Sequence, residues 1–225
     1  MESPARGVRF IHGGIRSEAA GIAEAAATLD PHNGDQVARL KDRLAFLRKV
    51  AKTHNDNEEA VIYNALDAKR PQLTVPYRLD HQAADSAIAE AEETLLRLHG
   101  AEDRSARAEL ARLLARQTAA LSAITALYIG KEEQHLVPLQ EQYFTVEEQA
   151  ANGGRVVGSF GPQLLVQVMV WLLRMQTVDE REDMLRTLTV MPPAQFAALA
   201  GWSKAGLPAD EWAELVRRVP QLASV

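Results

Sequence analysis

Val37, Leu40, Leu44, Leu47, Ala51, His54, Glu58, Val61 and Ala65 follow one another at alternating steps of three and four residues, so a helix through them carries all of them on one stripe. A stripe of that length cannot be buried by its own helix and requires other helices to cover it. Three more segments have the same spacing: His12, Ile15, Ala19, Ile22, Ala26 and Leu29 in the first; His81, Ala84, Ile88, Ala91, Leu95 and Leu98 in the third; Leu110, Leu114, Leu121, Ile124, Tyr128, Glu132 and His135 in the fourth. Turn signals separate them: DPHNGD at 30–35, KRPQLTVPYR at 69–78, HGAED at 99–103, and Pro138 followed by the polar TVEEQAANGG. Short connections between long helices make antiparallel neighbours. The expected fold is all-α, an up-down-up-down four-helix bundle.

Each stripe also carries a metal-ligand type of residue where an apolar one is expected. His12 and His54 lie about equally far from the first turn and are therefore level along the bundle, at about 1.5 Å rise per residue. His81 and Tyr128 match more loosely across the turn near 101–103. The halves repeat each other: a lone histidine is followed, in the next helix, by a donor, three residues and a glutamate. The sets are His12 with His54 and Glu58, then His81 with Tyr128 and Glu132, and both glutamates open a doublet, in NEEAV and KEEQH. This is the layout of a two-metal site with pseudo-twofold symmetry. Two carboxylates buried without cations cost several kcal/mol each, a penalty that a pair of divalent or trivalent ions removes. With no cysteine in the chain, any metal is held by nitrogen and oxygen.

The balance of 25 basic against 30 acidic residues, a net charge of −5, leaves no electrostatic footprint for nucleic acid, and the basic run RLKDRLAFLRKVAK reads as a solvated helix face. MESPARGVRF has no signal-like apolar stretch, and QLLVQVMVWLLRM is too short and interrupted to span a bilayer. A cytoplasmic protein with no membrane partner is expected.

His12 in FIHGGIR, His54 and Glu58 in HNDNEEAVIY, His81 in LDHQAADSAI and Glu132 in KEEQHLVPL resemble the hemerythrin-like family, named for its His-His-Glu cation-binding repeat. The resemblance covers about residues 8–145. It implies a four-helix bundle with a non-haem diiron centre of two iron ions that binds dioxygen, with histidines as terminal ligands and both glutamates as bridges. A mixed iron and manganese pair stays open. Residues 155–225 resemble the C-terminal helical extension of longer members, notably in the PPA motif at 192–194, and are expected to form three helices that pack on the bundle or roof the metal site.

The chain departs from the family pattern at three places. Tyr128 stands where the second HxxxE histidine belongs; it is a candidate phenolate ligand and catalytic residue, or it leaves one iron with an open position. His135 is a weaker replacement. Asp85 stands where oxygen carriers of the family have a further histidine, and as a carboxylate it is a candidate ligand, a partner for a histidine N–H or a first-turn helix acid beside His81. Gly130, between Tyr128 and Glu132, either reflects ordinary helix packing or makes room for a substrate.

Two functions follow. In the first, the protein activates dioxygen at its diiron centre and oxidises a small organic or nitrogen-containing substrate, with an electron donor that the sequence does not name. In the second, it is a non-catalytic protein that binds or senses dioxygen, nitric oxide or iron. The oxygen-rich donor set favours the first.

Overall fold

The computed structural model describes residues 3–189 and 193–224, and within them the chain is helical with no strand. After a 3₁₀ turn at Pro4–Val8, helix α1 spans Arg9–Ala27. Helix α2 runs from Gly34–Glu58 through a π-helical turn at Glu59–Tyr63 and ends as Asn64–Lys69. Helix α3 spans Val75–Gly100. Helix α4 repeats the plan of α2, with Arg104–Lys131, a π turn at Glu132–Leu136 and a last stretch at Val137–Tyr143. Asn33 and Asp103 cap α2 and α4, their side chains accepting from the N–H of Gln36 and Ala106. Each long helix touches the next, and α4 closes the ring on α1, which is the expected up-down-up-down bundle.

The apolar stripes of α1 and α3 are buried as read, from Ile15 to Ala26 and from Ala84 to Leu98, together with Val37 to Ala51 of α2 and Leu114 and Leu121 of α4. Beyond Glu58 and Glu132 the spacing fails by one residue. The buried side chains are Ile62, Tyr63 and Leu66 rather than Val61 and Ala65, and Leu136 and Val137 rather than His135. A π turn holds one residue more than an α turn, so each bulge advances the stripe by one position. Pro138 does not end its helix either. Its missing N–H falls at the first turn after the bulge, where the hydrogen-bond ladder changes register and the proline is tolerated.

The extension begins earlier than residue 155 and holds five helices among the described residues rather than three. They are α5 (Val146–Gly158), α6 (Gly161–Met175), α7 (Val178–Leu188), α8 (Pro193–Gly206) and α9 (Ala209–Arg218). The polar stretch TVEEQAANGG, which reads as a loop, is the start of α5. Thr145 and Glu148 form a reciprocal capping box there that outweighs the two glycines. Gly161 at φ +67° turns the chain by 99° from α5 into α6, and no single described helix is long and apolar enough to cross a membrane. The PPA motif lies partly outside the described residues, at 192.

Two contacts set the extension on the bundle. Helix α6 lies on α1, where Leu172 and Trp171 press so closely on Gly14 that a Cβ there would collide with both side chains. Trp171 also stacks edge-on against Phe46 of α2 at 5.7 Å, and Leu172 joins the same apolar core as Ile15 and Leu47. Helix α5 lies across the opening 3₁₀ turn and the π turn of α2, with the Ser3 hydroxyl donating to Gln149 at 2.6 Å. Its Val156 completes a second, separate apolar cluster with Ile62, Tyr63, Leu66, Tyr77, Leu136 and Phe144. Between these two apolar compartments lies a layer of buried polar side chains.

Candidate metal centre

His12, His54, Glu58, His81 and Glu132 form that layer, each with 2% exposure or less. Their ligand atoms fall into two groups, His12–His54–Glu58 and Glu58–His81–Glu132, in which all atoms lie within 4.8 Å of one another. Glu58 belongs to both. Its Oε2 is 3.6 Å from His54 Nε2 and 4.0 Å from His81 Nε2. Glu132 also reaches across, with Oε1 2.8 Å from His81 Nε2 and Oε2 3.5 Å from His12 Nε2. The Nε2 atoms of His12 and His54 are 3.1 Å apart.

The other residues singled out in the sequence are placed differently. Tyr128 is buried, its ring edge-on to His81 at 5.6 Å between centroids. Its hydroxyl faces the buried Asn55 side chain, although neither polar atom of that amide completes a well-aligned hydrogen bond. Asp85 is half-buried one turn along α3 and enters neither group; its charge faces Tyr128 and Lys52. His135 is exposed on the outside of α4. A Cβ at Gly130 would meet nothing within 4 Å, and the glycine stands two residues from both Tyr128 and Glu132, on the opposite side of a helix that turns those two inward.

Tyr63 was not legible as a site residue. At five residues past Glu58 it would lie well round an α-helix from the stripe, and the π turn brings it inward. Its hydroxyl donates to Glu132 Oε1 at 2.5 Å and lies 3.3 Å from His81 Nε2, with the two rings stacked. The second glutamate of each doublet was visible but unassigned. Glu59 lies 2.9 Å from His81 Nδ1, and Glu133 lies 3.4 Å from His12 Nδ1.

The electrostatics of the metal-free protein follow from this crowding. Burial, with Glu132 and Glu59 nearby, pushes the Glu58 carboxyl well above its ordinary value. Glu132 is also buried, but the His81 hydrogen bond, the His12 charge and the Tyr63 hydroxyl outweigh burial and hold it below the usual range. One carboxyl of the pair therefore keeps a proton. Burial, then His12 and His81, drives His54 well down, so it is neutral. Burial lowers His81 as well, but its hydrogen bonds to Glu132 and Glu59 win and raise it. Burial pushes both phenols up, aided by Glu58 and Glu132.

A metal fits this set. Glu58 Oε2 and Glu132 Oε2 are buried without a hydrogen-bond partner, a condition that costs free energy unless something else satisfies them. Glu58 Oε2 faces both His54 and His81, and Glu132 Oε2 faces His12, so a cation among these nitrogens would satisfy both oxygens. A family model for the hemerythrin HHE cation binding domain matches residues 3–140. The chain belongs to the hemerythrin family. It is also similar to zinc finger protein BRUTUS of Arabidopsis thaliana, 28% identical over 186 residues, which cover 83% of this chain and 14% of that protein. A BRUTUS-like zinc finger protein of the same plant is 24% identical over 174 residues, or 77% and 14%. The chain thus spans about a seventh of the length of these relatives. No solved structure matches. The family assignment and the donor groups make this a metal-binding bundle.

Proposed function

We propose that the protein is an iron-binding and iron-sensing module of the hemerythrin family that holds two ions, rather than an oxygenase acting on an organic substrate. In this reading His12 and His54 would hold one ion and His81 the other, with Glu58 and Glu132 supplying carboxylate oxygens to both. Iron bound there supplies a redox couple and affinity for dioxygen or nitric oxide. The protein's own part is to bury the donors, to keep water from them between two apolar compartments and to carry the proton that Glu58 gives up on loading.

The observation that carries this reading is the pair of donor groups sharing Glu58, with orphaned carboxylate oxygens directed between them. Two features favour sensing over substrate oxidation. Two apolar clusters flank the layer, with Ile62 and Leu136 in one and Ile15 and Ala84 in the other, and Gly130 stands on the helix face opposite Tyr128 and Glu132. Two surface clefts lie elsewhere, one around Arg97 and Arg116 and one around Arg174 and Glu211. The relatives agree with a module, because the shared stretch is a small part of a larger protein.

Metal quantification on protein from iron-supplemented cells, then anaerobic reduction and exposure to stoichiometric dioxygen, tests the proposal. Two irons per chain and a thermal midpoint that falls on chelation are expected. A metal-free protein that melts as high as the loaded one, or sustained consumption of reducing equivalents with an added substrate, would overturn it.

A further inference from the structure

Behind each outer histidine stands a carboxylate, and behind each carboxylate an arginine from the histidine's own helix. Glu59 Oε1 lies 2.9 Å from His81 Nδ1, and its other oxygen accepts from Arg78 at 2.9 Å. On the opposite side Glu133 Oε1 lies 3.4 Å from His12 Nδ1 and 2.9 Å from Arg16. Both carboxylates are the second members of the doublets, each placed in a π turn that starts beside or at an inward glutamate. The repeat in sequence is thus also a repeat in space, down to the arginines. His54 has nothing comparable, its Nδ1 being buried without a partner.

We infer that Glu59 and Glu133 are positioning residues for metal binding, acting through His81 and His12; this rests on the metal-binding reading above. An imidazole that offers Nε2 to a metal keeps its proton on Nδ1. A carboxylate at hydrogen-bond distance accepts that N–H, fixes the tautomer and ring plane, and strengthens Nε2 as a donor. The arginines matter because the carboxylates are only partly sheltered, with side chains 28% and 31% exposed. Without an anchor each could turn to water and release its histidine. The two clamps are unequal. His81 is held at 2.9 Å, whereas the 3.4 Å contact to His12 falls short of a well-aligned hydrogen bond, so Glu59 carries the larger effect.

The test uses the full chain loaded with zinc, a diamagnetic probe, and labelled with ¹⁵N-histidine. Zinc affinity is measured by chelator competition. Wild type should show His81 as the Nδ1–H tautomer with a strongly hydrogen-bonded proton. Glu59→Gln should lose about 10- to 100-fold in affinity and shift or broaden that signal, and Glu133→Gln should do the same to His12 by a smaller factor. Arg78→Met, which leaves the carboxylate in place, should lose part of the affinity, and Arg78→Lys should restore most of it, a pattern that survives if Glu59→Gln fails to fold. Unchanged affinity in Glu59→Gln overturns the inference, and so does a loss of affinity with the His81 signal unmoved, which assigns Glu59 a merely structural part. A wild-type protein that takes up no zinc, cobalt or iron is a different failure, since it removes the metal-binding reading and the inference with it.

Discussion

The His12–His54 half of the centre is short of hydrogen bonds, with two imidazole nitrogens and a Glu58 oxygen left without partners, whereas the other half is knitted together by His81, Glu132, Tyr63 and Glu59 at 2.5–2.9 Å. The first offers two imidazole nitrogens, the second one nitrogen among oxygens. Where the sequence repeats, the packing therefore does not: the Nε2 atoms of the first half have few close partners to give up to a cation, and the other half meets a cation with hydrogen bonds that must be exchanged. Nitrogen donors suit a divalent transition metal, and hard oxygen donors suit a trivalent one. The pair of positions is thus asymmetric in chemistry although symmetric in plan.

The largest effect is expected where the halves are joined. Glu58→Ala should abolish binding of both ions, because the residue that the two donor groups share is gone, and Glu132→Ala should come close to the same loss. Two ions per chain retained in Glu58→Ala would show that the halves do not depend on a shared carboxylate. Next in size is His54→Ala, which should remove the ion of its own half and leave about one per chain, while His81→Ala does the reverse. Equal loss from both positions in either variant, read by metal analysis, would erase the distinction between the halves.

Acidity acts on the groups of the layer with opposite signs. In the metal-free protein the raised values of Glu58 and His81 contribute stability that is present at low pH and lost as pH rises through their folded values. The depressed value of His54 contributes stability that is present above its unfolded pKa of 6.5 and lost as pH falls below it. Metal-free protein should therefore be most stable in mildly acidic solution and weaken on both sides. Loading requires Glu58 ionised and His81 Nε2 bare, so it should release protons and gain about tenfold in affinity per pH unit for each proton released. Calorimetry in buffers of different ionisation enthalpy measures that number, and no release at neutral pH would contradict the proton on the carboxyl pair.

The smallest effect distinguishes the phenols. Tyr63→Phe removes the hydroxyl from Glu132 and should cost about 1–3 kcal/mol of buried hydrogen bonding in the metal-free protein. Tyr128→Phe, with no well-aligned partner to lose, should cost less. If the oxidised iron protein has a phenolate-to-iron band, Tyr63→Phe should remove it and Tyr128→Phe should keep it. The opposite result would return the ligand role to Tyr128, the residue the motif pointed to.

That contrast also marks how far the sequence could be read. The bundle and the positions of His12, His54, Glu58, His81 and Glu132 follow from one periodicity and one repeated spacing, because a 3.6-residue helix keeps faith with both up to the two glutamates. What lies past them was misread in both halves for a single reason: the π turns add a residue, which turns Tyr63 and Leu136 inward and His135 out. No simple periodicity announces such a bulge. In TVEEQAANGG composition suggested a loop, and a capping box at its first residues made a helix. Gly14 gave no sign that Trp171 and Leu172 would rest on it.

The layering of the interior has one further consequence, for the order in which the structure opens. The main core is large, whereas the cluster around Tyr63, Leu136, Phe144 and Val156 is small and is joined to it through a polar layer that supplies little apolar burial when no cation is present. Amide hydrogens in the π turns and in α5 should then exchange well before those of the long helices in metal-free protein, as a local opening. Ions that link four helices at that level would bring the small cluster under the cooperative unit of the large one. Metal occupancy would be reported at the surface of α5 as protection from exchange, a signal that a partner binding that helix could read.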